Sequence, residues 1–274
     1  VSAPLPFRSP AYRELILGLI GRDVKTRYKQ SVLGYAWAML YPLATALIFS
    51  IVGQIIMRSN TGGLPYPVFA YFGVLYWNLF SSALTAATES LVSHLNLITK
   101  VYFPREVFPV AAVLSKVVDF GFGLVGLIPL LLLFHVRPGP WILLSIPIAG
   151  IIVLLAIGWG MLLACANLYF RDIRHLVGIV LSLWGFLVPN IYPLHQVPRQ
   201  WQGVYLLNPI AALIEAGRRL AFPQTGWLRA IDPAQGNLGS LWPYVGTALA
   251  TALVYLVVGF VVFKRNEPRF AEYI

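Results

Sequence analysis

The chain has 274 residues, of which 58% are hydrophobic and 11% charged, with a formal net charge of +10 and a mean hydropathy of +0.75. A soluble domain with so few charges would lack the polar atoms to cover its surface, so an ordinary water-soluble fold is excluded. The basic excess comes with no nucleic-acid-binding signature and reads as topology and attraction to anionic lipid heads. The single cysteine, Cys165, excludes an intramolecular disulfide.

The first 30 residues are basic and amphipathic, unlike a cleavable leader with its continuous apolar core. From Tyr12 to Tyr28, helical spacing puts Tyr12, Ile16, Leu19, Ile20 and Val24 on one arc and Glu14, Arg22, Lys25 and Lys29 on the other. This spacing predicts an interfacial helix over residues 10–30, basic side toward lipid phosphates. Six apolar runs follow: Gly34–Met57, Tyr66–Ala87, Val110–Phe134, Trp141–Ala164, Leu176–Tyr192 and Trp242–Phe263. A hydrocarbon core about 30 Å thick needs about 20 residues of helix, so each run is predicted to span a bilayer.

Between the fifth and sixth runs, Leu206–Phe222 is apolar but broken by Asn208-Pro209, and it carries Glu215, Arg218 and Arg219. Counted as a crossing, it would send the tail with Lys264, Arg265 and Arg269 to the opposite side from the other basic segments. It is predicted instead as two short helices, Pro198–Leu207 and Pro209–Ala221, that dip into the outer leaflet and return within an external stretch, 195–240. Backbone at such a turn is tolerable only against protein or a water-filled cavity, so the stretch borders a pathway.

The fold class is thus an all-α integral membrane protein: one domain, 1–274, of six transmembrane helices, an N-terminal interface helix and re-entrant external helices before the last span. Lys and Arg gather in the N-terminal segment, in the loops after spans two and four, and in the tail, which places both termini in the cytoplasm. The loop 89–109 contains Lys100-Val101-Tyr102-Phe103-Pro104-Arg105-Glu106, and the loop after span four contains Tyr169-Phe170-Arg171-Asp172-Ile173-Arg174. Each mixes aromatics with charge, which suits a docking surface or the headgroup level of a bilayer.

No G-x-x-x-x-G-K-[ST] run occurs, so an ATP-cradling loop is absent from the sequence. Charges within spans are sparse: Glu89 at the end of span two, and Lys116 with Asp119 one turn apart in span three, spaced to neutralise each other. No chain of acids or histidines suits a proton relay. His94, His135, His175 and His195 stand singly, without metal-ligand spacing. Aromatics are plentiful. Trp37, Tyr41, Tyr71, Tyr76, Trp77, Trp184 and Tyr192 are candidates to line a pathway, because sugar rings stack on aromatic planes; interfacial belt positions account for the same pattern.

Taken in order, Arg22–Tyr28, Leu33-Gly34-Tyr35-Ala36-Trp37, Tyr41-Pro42, the Lys100–Glu106 and Tyr169–Arg174 loops, and Leu207-Asn208-Pro209 resemble the permease subunits of type-2 ABC exporters. The similarity is greatest to the branch that exports O-antigen, capsular polysaccharide and teichoic acid, and it covers essentially the whole chain. It implies a homodimeric permease of lipid-linked glycan, with two cytoplasmic ABC ATPase subunits that bind ATP and Mg²⁺, in a bacterial inner (plasma) membrane. It further implies that Lys100, Val101, Tyr102, Phe103, Arg105 and Glu106 couple to the ATPase, with Arg171 and Asp172 supporting the same face. Asn208, Pro209, Glu215 and Arg218 belong to a gate. The permease itself is not an enzyme in this reading, and it needs no cofactor or metal of its own. The alternatives are a type-2 ABC exporter of drugs or small lipids, and a passive channel.

Overall fold

The computed structural model describes residues 10–29, 31–61, 63–95, 104–222 and 241–272, which are all-helical. Helix α1 is Pro10–Tyr28. Helix α2, Trp37–Ile51, is entered through a 3-10 turn at Gly34–Ala36 and extended by a π-helical turn at Val52–Ile56. Helices α3 (Tyr66–Ser93), α4 (Val107–Leu133) and α5 (Ser145–Tyr169) follow. Then come α6 (Ile173–Trp184), α7 (Arg199–Leu206), α8 (Pro209–Ala221) and α9 (Trp242–Asn266), which ends in a 3-10 tail, Glu267–Glu272.

Among the described residues, five runs are long and apolar enough to cross a membrane: Gly34–Ile56, Tyr66–Ser93, Val107–Leu133, Pro140–Tyr169 and Trp242–Phe270. They match five of the six expected spans. The other, expected over Leu176–Tyr192, is a shorter element. Helix α6 has 12 residues, with a three-residue 3-10 extension at Gly185–Leu187. At 1.5 Å per residue that is about 22 Å, less than a hydrocarbon core. The cause lies in the sequence: Val188 precedes Pro189 and is extended (φ −125°, ψ 153°), as the proline ring requires of its neighbour.

Helix α3 is the axis of the bundle, with α2, α4, α5 and α8 packed around it. Phe69, Tyr71, Tyr76, Phe80, Ala83 and Ala87 on it are fully buried. Helices α5 and α9 cross at contact distance, because Gly158 and Gly259 leave no side chain between them. A Cβ on Gly259 would lie 2.3 Å from the Gly158 carbonyl oxygen.

Helices α7 and α8 form the expected hairpin. Its turn is fixed by Asn208, whose Oδ1 accepts from the Ile210 N–H at 3.2 Å, and by Pro209 in the first turn. The Asn208 amide donates to the Leu187 carbonyl at 3.1 Å, so the turn meets the end of α6. At the far end, the Gly139 N–H donates to the Ala221 carbonyl at 2.8 Å. The hairpin therefore returns to the connection between α4 and α5. Every residue of α8 from Ile210 to Ala221 is buried.

The end of the bundle that carries α1, the α5–α6 turn and the tail is basic. There α1 buries Tyr12, Leu19 and Val24 and exposes Glu14, Arg22, Lys25 and Lys29, as its spacing predicts. A second apolar cluster at this end joins Tyr12 and Leu19 to Leu91, Phe108, Cys165, Phe263 and Phe270.

Candidate functional site

Along one side of α3 runs a line of polar residues, Asn78, Ser81, Ser82, Thr85, Glu89 and Ser93, spaced by three or four residues and therefore sharing a face. Three adjoining cavities of about 410, 560 and 470 Å³ open onto it. The first lies between α2, α3 and α4, with Trp37, Tyr41, Asn78 and Ser82 in its wall. The second lies toward α1, against Arg22, Asp23, Glu89 and Ser93. The third lies toward α6, against Trp77, Thr85, Gly178 and Ser182. Lys116 borders all three, so the cavities form one groove around its ammonium.

Ion contacts tie α1 to the rim of this groove. Arg27 donates to Asp119 of α4 and, through Nη2, to Ser115 Oγ at 3.0 Å; the Tyr28 hydroxyl donates to Asp119 Oδ1 at 2.8 Å. Burial, then the Asp119 bond, pushes the Tyr28 hydroxyl up to about 12. The expected Lys116–Asp119 pair is present but looser, at 3.7 Å, because the carboxylate is held by α1. One turn earlier, Asp23 lies 3.7 Å from His94 and 3.5 Å from Arg22. Burial alone would raise the Asp23 carboxyl, but these two partners outweigh it and hold the group below its usual range.

Of the seven aromatics singled out in the sequence, Trp37, Tyr41 and Trp77 line the groove. Tyr71 and Tyr76 do not: both are fully buried, and their hydroxyls donate to the carbonyls of Gly123 (2.7 Å) and Ser145 (2.9 Å), fastening α3 to α4 and to α5. Trp184 sits in an aromatic cluster, 6.2 Å from Trp77, 5.4 Å from Phe80 and 5.7 Å from Trp159 between ring centroids. Tyr192 donates to the Phe186 carbonyl at 2.8 Å beyond the end of α6.

The gate candidates on α8 form a buried ion cluster. Arg218 and Glu215 are both fully buried. The Arg218 guanidinium reaches Glu215 at 3.4 Å, the Pro189 carbonyl at 2.6 Å and the Phe69 carbonyl at 3.5 Å, and it lies over the Phe69 ring at 3.8 Å. Arg219 donates to the other Glu215 oxygen at 3.1 Å. Gly73 makes room for this: a Cβ there would lie 2.7 Å from Arg218 Nη2.

Of the coupling candidates, Lys100, Val101, Tyr102 and Phe103 lie outside the described residues. Arg105 and Glu106 face different partners, as expected of adjacent positions, and both partners are in the tail region: Arg105 binds Glu267 and Glu106 binds Lys264. Arg171 and Asp172 are exposed in the turn between α5 and α6. That turn is pinned by Asn167, which donates to the Thr88 carbonyl at 3.1 Å and accepts from the Arg174 N–H at 3.3 Å.

A bundle of lipid-length helices with a polar groove down its flank defines a multi-pass membrane protein. The chain matches the ABC-2 type transporter family over residues 14–222, and it belongs to that family. It is 28% identical over 260 residues to the O-antigen export system permease protein RfbA of Klebsiella pneumoniae, covering 94% of each chain. Its identity to the protein of the same name from Myxococcus xanthus is 28% over 269 residues, 96% of each. To the polysialic acid transport protein KpsM of Escherichia coli it is 24% over 207 residues, 74% of this chain and 79% of that one.

Proposed function

We propose that this chain is the permease subunit of an ATP-driven exporter that carries a lipid-linked polysaccharide, of the O-antigen, capsular or teichoic acid kind, out of the cytoplasm across the bacterial inner membrane. Two copies pair, and two cytoplasmic ABC ATPase subunits supply the energy from ATP and Mg²⁺. The basic end faces the cytoplasm, with both termini there.

The observation that supports this best is the groove beside α3. Hydroxyl groups and an amide both donate and accept hydrogen bonds, and Trp37 and Tyr41 at the mouth offer ring faces, the combination a polyhydroxylated chain can use. A small apolar cargo would find few such partners useful, since desolvating them unpaired is unfavourable. The groove is open along one side, and a second copy laid against it would close it into a conduit. The family match and the O-antigen and polysialic acid names of the relatives point the same way.

The test is a strain lacking this gene, with no second exporter. Loss of surface glycan, with finished lipid-linked polymer accumulating in the cytoplasmic leaflet, is the expected result. Unchanged glycan in both places would sink the reading.

A further inference from the structure

At the basic end, one ion cluster joins parts of the chain that are far apart in sequence. Glu106, at the entry to α4, is 2% exposed and accepts a 2.8 Å hydrogen bond from Lys264 of α9. The same ammonium donates to Glu267 in the tail at 2.9 Å. Glu267 also accepts from the Arg105 backbone N–H at 3.2 Å, and its carbonyl takes the Arg105 guanidinium at 2.7 Å. Phe270 is fully buried beneath this, 5.8 Å from the Arg105 guanidinium and edge-on to Phe263 at 5.3 Å. Tyr12 of α1 stands near enough for its hydroxyl to be pushed up to about 12, first by burial and then by the Glu106 charge.

Packing alone would let the tail slide over its neighbours. Charge-assisted bonds of this length are directional, and parting them leaves Glu106 buried without its cation. A displacement of residues Pro104–Glu106 therefore carries the base of α9 with it. Helix α9 packs on α8, the helix that holds Arg218, so the movement has a route to the hairpin.

We propose that Glu106 and Lys264, steadied by Arg105 and Glu267, are positioning residues that relay movement of the loop after α3 into α9. The relay rests on the reading that an ATPase subunit acts on that loop.

The test uses the permease with its ATPase partner. Lys264→Glu should lower surface glycan delivered per unit of ATPase activity by about tenfold, with the yield of assembled complex unchanged, and the exchange Glu106→Lys with Lys264→Glu should restore it. In parallel, spin labels at Ile48→Cys on α2 and Val257→Cys on α9, both exposed positions, report the distance of α9 from a helix outside the relay, with and without a non-hydrolysable ATP analogue. The distance should change with nucleotide in the parent and in the exchanged pair, and stay fixed in Lys264→Glu. Parental export and distance change in Lys264→Glu would overturn the relay, as would an exchanged pair as defective as the single variant. If Lys264→Glu does not accumulate, Lys264→Gln takes its place. A parent that delivers no glycan counts against the export reading alone, because the label distances still decide the relay.

Discussion

Arg218 shows how much one side chain can hold in a buried helix. Its guanidinium meets a carboxylate, two backbone carbonyls and an aromatic face at once, with no exposure. A lysine offers a point charge without the planar fork, so Arg218→Lys should fail nearly as badly as Arg218→Ala. Each should lower stability by about 3–5 kcal/mol, the usual cost of breaking a buried pair. Thermal unfolding of the detergent-solubilised protein measures it, and a lysine variant of parental stability would contradict this account. Asp23 makes a different prediction. Its carboxyl is depressed in the folded protein, so its contribution is complete above the ordinary carboxylate value of about 4 and is lost as pH falls through the lower folded value. Asp23→Asn should therefore flatten the stability profile below about pH 4. A parental acid limb in that variant would show that other carboxylates dominate.

At the scale of elements, the sequence was readable where length and average apolarity decide the outcome. Five apolar helices of span length, the helix over Pro10–Tyr28 and the two short helices α7 and α8 lie close to where spacing and charge put them. Helix α6 was overdrawn because apolarity continues past Leu187, whereas the proline at 189 ends the helix whatever the hydropathy. The polar face of α3 escaped notice for the opposite reason. Asn78, Ser81, Ser82 and Thr85 barely lower the average of a long apolar run, and only their helical spacing shows that they share a side. The ion contacts of Asp119 with α1 were out of reach, since they pair residues about 90 positions apart. The α5–α9 crossing is testable at this scale. Gly259→Leu should separate the helices and destabilise the protein by about 1–3 kcal/mol through overpacking. Gly246→Ala, on the same helix with open space around it, should change little. Equal effects in the two variants, read by thermal unfolding, would mean that the crossing is not tight.

For the whole molecule, the central question is whether the groove beside α3 is the path or merely a crevice at the surface of one copy. Its charges bear on this. Arg27 is held by Asp119, and Asp23 has Arg22 and His94 close by, so the lining presents no large excess of one sign. A balanced, hydrogen-bonding wall neither traps an anionic chain nor repels it, which suits stepwise passage of a long polymer. A bulky side chain placed in such a path should stop movement without unfolding the bundle. Ser82 faces both the first and third cavities, and its side chain has room before it. Ser82→Trp should therefore cut surface glycan by about tenfold, equal to about 1.4 kcal/mol of barrier, while the permease still assembles with an active ATPase. Gly121→Trp, at an exposed position with open space on the same bundle, controls for bulk alone and should export normally. If both variants export like the parent, the polymer does not travel along this face of α3; if both fail alike, bulk anywhere on the bundle is disruptive and the groove has no special claim. Loss in Ser82→Trp alone would place the moving chain against the polar side of α3.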